Sequence, residues 1–291
     1  MHILRFRGPG HEQPGVGVHR DGLVTPLTGV TALSQLWALS REELRQRLTR
    51  PECVRALPLG EVELLAPVDG RSEVWGSGVT YKISQEARIE ESESAADVYS
   101  RVYEADRPEL FFKSVAWRVS GPGHPVGIRS DSTVNVPEPE LALVVNRHGE
   151  TVGYTICNDM SSRSIEGENP LYLPQAKIYG GACGLGPWIT PAWEITDPYQ
   201  LSVELQIERS GSSCWQGRTS TVELHRRLDD LVAYLMRGDA HPDGVVLATG
   251  TCLVPPAPFT LADGDVVAIT IDGIGTLRNP VRRAHRSDGA S

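Results

Sequence analysis

Two hydrophobic rhythms run along this chain, and the period of two is the commoner. Leu201, Val203, Leu205 and Ile207 alternate with polar residues, as does the stretch Asp265–Ile271, so both predict half-buried strands. Leu141–Val145 and Tyr154–Cys157 are unbroken apolar runs, the mark of strands buried on both faces. Shorter strands are predicted at His2–Phe6, Val16–His19 and Val74–Tyr81, the last ending in a glycine turn, with a further one at Val245–Leu247. The helical period appears less often. Ser40 with Glu43 three residues on forms a capping box ahead of Leu44 and Leu48. Ser220 with Glu223 repeats that signal ahead of Leu224, Leu228, Leu231 and Leu235, predicting a helix that stops near Gly238. Ala95, Val98 and Val102 fit an exposed helix, or a mobile lid, over residues 84–105. Leu171, Tyr172 and Leu173 read as buried residues of a loop, and the polar tail after Val281 reads as frayed.

These elements divide into a small N-terminal α/β domain over residues 1–66 and a larger domain over 67–291, with Pro67–Gly70 as the hinge. Strands outnumber helices, so the fold class is α+β and mostly β. With 291 residues the chain can bury a sizeable core, and 40% hydrophobic with 22% charged residues is the composition of a soluble globular protein.

The net charge of −9 leaves no basic stripe for nucleic acid. No apolar run approaches the roughly 20 residues of a membrane-spanning helix, and the first ten residues are too short and polar for a signal peptide. The cysteines, Cys53, Cys157, Cys183, Cys214 and Cys252, are odd in number and lack a C-x-x-C pair, which fits a reducing cytosol better than a disulfide framework or a zinc cluster. The glycines at 180, 181, 184 and 186 match neither nucleotide-binding spacing.

The chemistry concentrates between Pro137 and Lys177. Glu138 and Glu140 are two apart in an extended segment, so their carboxylates share a face roughly 6–7 Å apart. Asp159 ends the next apolar run, where a neighbouring strand brings it in as a third ligand. An all-oxygen set selects Mg²⁺, Mn²⁺ or Ca²⁺ over zinc. As an isolated motif, E-x-E is more often a solvated strand start. Here both carboxylates adjoin core, and burying them without a cation would cost several kcal/mol each. Glu109, Phe111 and Lys113 share a strand face, so Glu109 and Lys113 form either an ion pair or part of a site. Lys177 lies between Ala176 and Ile178, where a lysine either snorkels to water or is catalytic through burial. Thr249-Gly250-Thr251 is a small polar turn able to donate to a ligand.

Four motifs in one order give a resemblance. The E-x-E at 138–140, the N-D-x-(S/T)-x-R block Asn158–Arg163, the Q-x-K Gln175–Lys177 and the T-G-T Thr249–Thr251 resemble the fumarylacetoacetate hydrolase superfamily from about Val74 to Val281. The stretches WGSGVTY, RPELFFK, IRSDS and GENPLYLPQAKIY are similar to its 2-keto-3-deoxy sugar-acid dehydratases. The resemblance implies a mixed β-roll, Mg²⁺ on Glu138, Glu140 and Asp159, and a homo-oligomer, dimer or tetramer. Hydrolases of the superfamily carry Y-x-x-H-x-x-E after the glycine turn, whereas Tyr81 is followed here by Ser84 and Ala87, and no histidine occurs between His19 and His124. Another departure is Ser164, where members often have Asp.

The implied reaction removes the C3 proton and the C4 hydroxyl of a 2-keto acid, giving 2,5-dioxopentanoate from a five-carbon substrate. It needs two groups of different proton affinity. Lys177 and Glu109 are expected to be those groups, Lys177 the base and Glu109 the acid, or the reverse, with Lys113, Ser161, Arg163 and Thr251 binding substrate. The competing expectations are an acylpyruvase-type carbon–carbon hydrolase, a 2-oxo acid decarboxylase or isomerase, and a non-catalytic metal- or ligand-binding protein.

Overall fold

The computed structural model describes residues 1–10, 13–50, 52, 54–81 and 101–283. In chain order its elements begin with β1 (His2–Arg7), β2 (Gly15–Arg20), β3 (Leu23–Pro26), α1 (Ser34–Trp37), α2 (Arg41–Thr49), β4 (Leu57–Pro58) and β5 (Glu63–Leu65). The middle of the chain supplies β6 (Glu73–Gly78), β7 (Glu109–Val115), β8 (Val126–Ile128), β9 (Asn135–Val136), β10 (Pro139–Val145), β11 (Thr151–Asp159) and β12 (Ser161–Ser162). Then come α3 (Arg163–Glu168), α4 (Leu173–Lys177), β13 (Cys183–Pro191), β14 (Ser202–Arg209), β15 (Ser212–Ser220), α5 (Leu228–Leu235), β16 (Val245–Ala248), β17 (Val266–Ile271) and β18 (Gly275–Arg283).

The fold is mostly β with mixed sheets. An 11-stranded sheet has the order β4-β3-β2-β1-β13-β11-β10-β16-β6-β7, with β5 added on β1. A five-stranded sheet runs β15-β14-β17-β18-β8, and β12 pairs with β9. Most pairs are antiparallel, but β16 with β6 and β18 with β8 are parallel.

Strand β10 shows why the apolar run is unbroken. Leu141, Leu143 and Val145 face a core shared with Val203, Leu205 and Ile207 of β14 and with Leu228, Leu231 and Leu235 of α5. Ala142 and Val144 face the opposite core, with Leu36, Trp37, Leu44 and Leu48 of the two N-terminal helices. The large sheet is therefore a middle layer covered on both sides, and every residue of β10 is buried.

The large sheet also rolls up. Four strand steps separate β7 from β11, which would be about 19 Å in a flat sheet. Yet the Lys113 ammonium of β7 pairs with the Asp159 carboxylate of β11. Sheet twist alone is modest per strand, so this contact requires strong coiling, and the coil brings strand ends together around one cavity.

The capping box Ser40–Glu43 forms as the spacing predicts, at the start of α2. The second one does not start a helix. Ser220 Oγ accepts from Val222 N at 3.2 Å and caps a single 3-10 turn, Thr221–Glu223. Leu224 is extended and bridges to Tyr81, so α5 begins only at Leu228. The loop reading of 170–174 is also corrected. Pro170–Tyr172 is a 3-10 turn that leads into α4, and its side chains are not core: Leu171 is 84% exposed and Tyr172 40%. Three adjacent apolar residues are a burial signal only if the backbone turns them inward, and here it does not. Most of the helix or lid expected over 84–105 lies outside the described residues; residues 101–104 are helical, and Val102 and Tyr103 pack on Val79.

Candidate active site

The site lies at one end of β10 and β11. Backbone pairing sets it up: Pro139 lies opposite Asn158, and Asp159 N donates to Glu138 O at 2.9 Å. By strand alternation Glu138 and Glu140 continue the Ala142 side, and Asp159 continues the Cys157 side, which the register places on the same sheet face. Ligand oxygens of Glu138, Glu140 and Asp159 all lie within 4.8 Å of one another, and all three residues are buried. This is the one cluster of three or more potential metal ligands among the described residues.

Three cations surround the triad. Lys177, at the end of α4, donates to Glu138 Oε2 at 2.9 Å, Asp159 Oδ2 at 3.0 Å and Ser161 Oγ at 2.5 Å. Arg163, opening α3, grips Glu138 Oε1 through Nε at 3.0 Å and Nη2 at 2.8 Å, and lies 3.9 Å from Glu166. Lys113 pairs with Asp159 Oδ1 and donates to Met160 O at 2.9 Å and Lys177 O at 2.6 Å. Glu140 takes its hydrogen bond from Gly250 N at 2.7 Å.

Glu140 is the electrostatically exposed member in this set. Burial pushes its carboxyl well above the usual range, and the Asp159 and Glu138 charges push it further, against the pull of Lys177 and the Gly250 N–H. Three converging carboxylates held this way fit a hard divalent cation, which offsets both the burial and the mutual repulsion. Nearby Tyr179 is also raised, first by burial and then by Asp159.

Glu109 reaches the site from β7. Its carboxylate packs onto the Gly78 backbone so closely that a Cβ there would sit 1.9 Å from Oε2. Phe111, two residues on, places its ring 5.6 Å from the Lys177 ammonium. The T-G-T turn closes the opposite wall: Thr249 N and Oγ1 donate to Leu141 O at 3.0 and 2.9 Å, and Thr80 Oγ1 donates to Thr249 O at 2.7 Å.

A cavity of about 100 Å³ lies among these groups. Glu109, Glu138, Glu140, Asp159, Arg163, Lys177 and Thr251 line it together. Lys113 and Ser161 stand behind that lining, buried against Asp159 and Lys177. The lining also includes residues that the sequence reading did not assign to the site. Phe111 shares the strand parity of Glu109, and Glu166 lies three residues after Arg163 on α3, so spacing could have flagged both. Gly250 enters through its N–H, so the T-G-T turn does donate, but to the Glu140 carboxylate. Leu173 and Val254 supply an apolar wall. Ser164, in place of the family's common Asp, joins Ser132 Oγ at 2.9 Å and accepts from Thr133 N at 3.2 Å, so it fastens the 132–133 turn rather than the cavity.

Comparison with known proteins bears on this geometry. The family profile described as fumarylacetoacetate (FAA) hydrolase, C-terminal, matches residues 73–282. A Haloferax volcanii protein described as a probable 2-keto-3-deoxyxylonate dehydratase is 53% identical over 215 residues, 74% of this chain and 73% of its own. The 2-dehydro-3-deoxy-D-arabinonate dehydratase of Saccharolobus solfataricus is 40% identical over 253 residues, 85% of each chain. A solved structure of 2-keto-3-deoxy-D-arabinonate dehydratase complexed with magnesium and 2,5-dioxopentanoate superposes with a TM-score of 0.84 at 34% identity, covering 98% of this chain and 100% of that one.

Proposed function

This chain belongs to the fumarylacetoacetate hydrolase family, and we propose that it is a divalent-metal-dependent dehydratase of a 2-keto-3-deoxy sugar acid. The reaction is 2-dehydro-3-deoxy-D-arabinonate to 2,5-dioxopentanoate plus water. The observation that carries this reading is the Lys177 ammonium set among three buried carboxylates, with Glu109 lining the same cavity.

Glu138, Glu140 and Asp159 would hold the cation. When bound, it supplies Lewis acidity that favours the enolate left by loss of a proton beside the 2-oxo group. Lys177 removes the C3 proton. Its three acceptors fix Nζ in place, and the Phe111 ring shields one side from water. Glu109 delivers a proton to the C4 hydroxyl as the C4–O bond breaks, so one water leaves. The resulting C3=C4 product then isomerises to the dioxo acid. Arg163 and Thr251 face the cavity where a carboxylate and hydroxyls can be bound, Arg163 while holding Glu138. Ser161 supports the Lys177 ammonium from behind.

The hydrolytic alternative needs a His and a Glu where the sequence has Ser84 and Ala87. All residues assigned here lie in 67–291, which we take as the catalytic unit after a small unit over 1–66. A homo-oligomer is supported by two exposed apolar side chains, Trp117 and Leu171. The described cysteines Cys157, Cys183, Cys214 and Cys252 are free thiols, which supports a cytoplasmic setting.

The test is turnover of 2-keto-3-deoxy-D-arabinonate with Mg²⁺, following 2,5-dioxopentanoate, in the wild type beside Glu140→Ala. Metal-dependent product that vanishes in the variant is the expected result. A folded, metal-loaded wild type that forms no product would refute the assigned substrate.

A further inference from the structure

One buried ammonium touches both halves of the proposed machinery. Lys113 is fully buried, yet it is not part of the cavity lining. The Lys113 ammonium meets three oxygens: Asp159 Oδ1 as an ion pair, and Met160 O and Lys177 O as hydrogen-bond acceptors. The first belongs to a metal-ligating carboxylate. The second is the carbonyl of the next residue, at the end of β11. The third is the backbone carbonyl at the end of α4, from which the Lys177 side chain projects. Asp159 keeps its other oxygen, Oδ2, for Lys177 Nζ at 3.0 Å.

We propose that Lys113 is a positioning residue that locks the Asp159 carboxylate to the backbone of Lys177, so that metal ligation and base placement are set by the same side chain. This rests on the reading of Asp159 as a metal ligand and of Lys177 as the base. Three physical points support it. A carboxylate rotates about its terminal bond over a broad range, and pairing one oxygen removes that freedom. Helix α4 is only five residues long, and a carbonyl in its last turn has no partner farther along the helix; Lys113 supplies one. Finally, the contact closes the rolled sheet, joining edge strand β7 to β11 across four strand steps. Groups that orient ligands from behind commonly change metal affinity or activity by 10–100-fold when removed.

The experiment is Mn²⁺ binding by electron paramagnetic resonance to wild type, Lys113→Met and Lys113→Gln, with kcat and KM for the 2-keto acid at saturating Mn²⁺. The expected result in both variants is Mn²⁺ affinity weakened by about 10–100-fold and a lower kcat, with KM within about twofold of wild type. Unchanged Mn²⁺ affinity would overturn the proposal, and a raised KM with normal Mn²⁺ binding would make Lys113 a substrate contact instead. Wild type that does not bind Mn²⁺ would refute the metal-site reading itself, a separate failure. Should the single variants not fold, Asp159→Asn/Lys113→Met decides the matter. Removing both charges together is expected to leave a chain that folds as well as Asp159→Asn alone, and a double variant that stays unfolded overturns the lock.

Discussion

Lys177 and Glu138, 39 residues apart in sequence, meet at 2.9 Å inside the carboxylate triad. The lysine thus lies against two of the three carboxylates that would hold a divalent cation. A bound cation repels the ammonium and favours its neutral form, the form a base requires.

Replacing Lys177 by Met therefore separates chemistry from metal binding. We expect kcat to fall by about 10²–10⁴-fold, the usual weight of a positioned acid–base group. Mg²⁺ affinity is expected to hold or improve, since a competing positive charge is gone. Isothermal titration with Mg²⁺ beside single-turnover kinetics measures both. Near-normal turnover would remove Lys177 from the mechanism.

Stripping the metal should cost stability as well as activity. Burial and then the Asp159 and Glu138 charges push the Glu140 carboxyl well above its usual range, and a cation that binds the folded state alone stabilises it by mass action, about 2.7 kcal/mol at a hundredfold excess over Kd. The melting temperature should rise on adding Mg²⁺ to chelator-treated protein. In Glu140→Ala that rise should shrink or vanish. An equal rise in both proteins would place the ion elsewhere.

Gly250 has a backbone φ of +88°, and a Cβ there would fall 2.0 Å from Thr80 Oγ1. Its N–H also serves Glu140. Gly250→Ala should cost about 1–3 kcal/mol in urea unfolding through backbone strain alone, with the metal requirement for turnover shifting upward. A variant with wild-type stability would show that the T-G-T turn tolerates another conformation.

At the N-terminus, His2 stacks on Trp188 with ring centroids 4.5 Å apart, and on His19 at 5.5 Å. Burial lowers its pKa from 6.5 to about 4, helped by the Met1 amino group and His19. A base with a depressed pKa in the folded state stabilises fully above its unfolded value, and that contribution is lost as pH falls. The melting temperature should therefore drop between about pH 7 and about pH 4 more steeply in wild type than in His2→Gln, which has no proton to take up there. Parallel profiles for the two proteins would discount this histidine.

Local rhythm determined much of this protein. The period of two placed β14 and β17, and unbroken apolar runs marked β10 and β11 as strands buried on both faces. Spacing alone put Glu138 and Glu140 on one face, because strand alternation is a property of the backbone. The apolar neighbours of Lys177 marked a lysine that burial would make unusual. What rhythm does not encode is which distant surface a face meets. Lys113 reads the same whether it pairs at a sheet edge or enters a site, and only the rolling of β7 over β11 sets it against Asp159. Leu171 and Tyr172 have core-like side chains on a turn that points them outward. Ser220 and Glu223 have the spacing of a helix cap, but Leu224 is captured by Tyr81 and the helix starts later. In each case a contact distant in sequence overrode a local preference, since pairing and burial across the fold outweigh the few tenths of a kcal/mol by which local propensities differ.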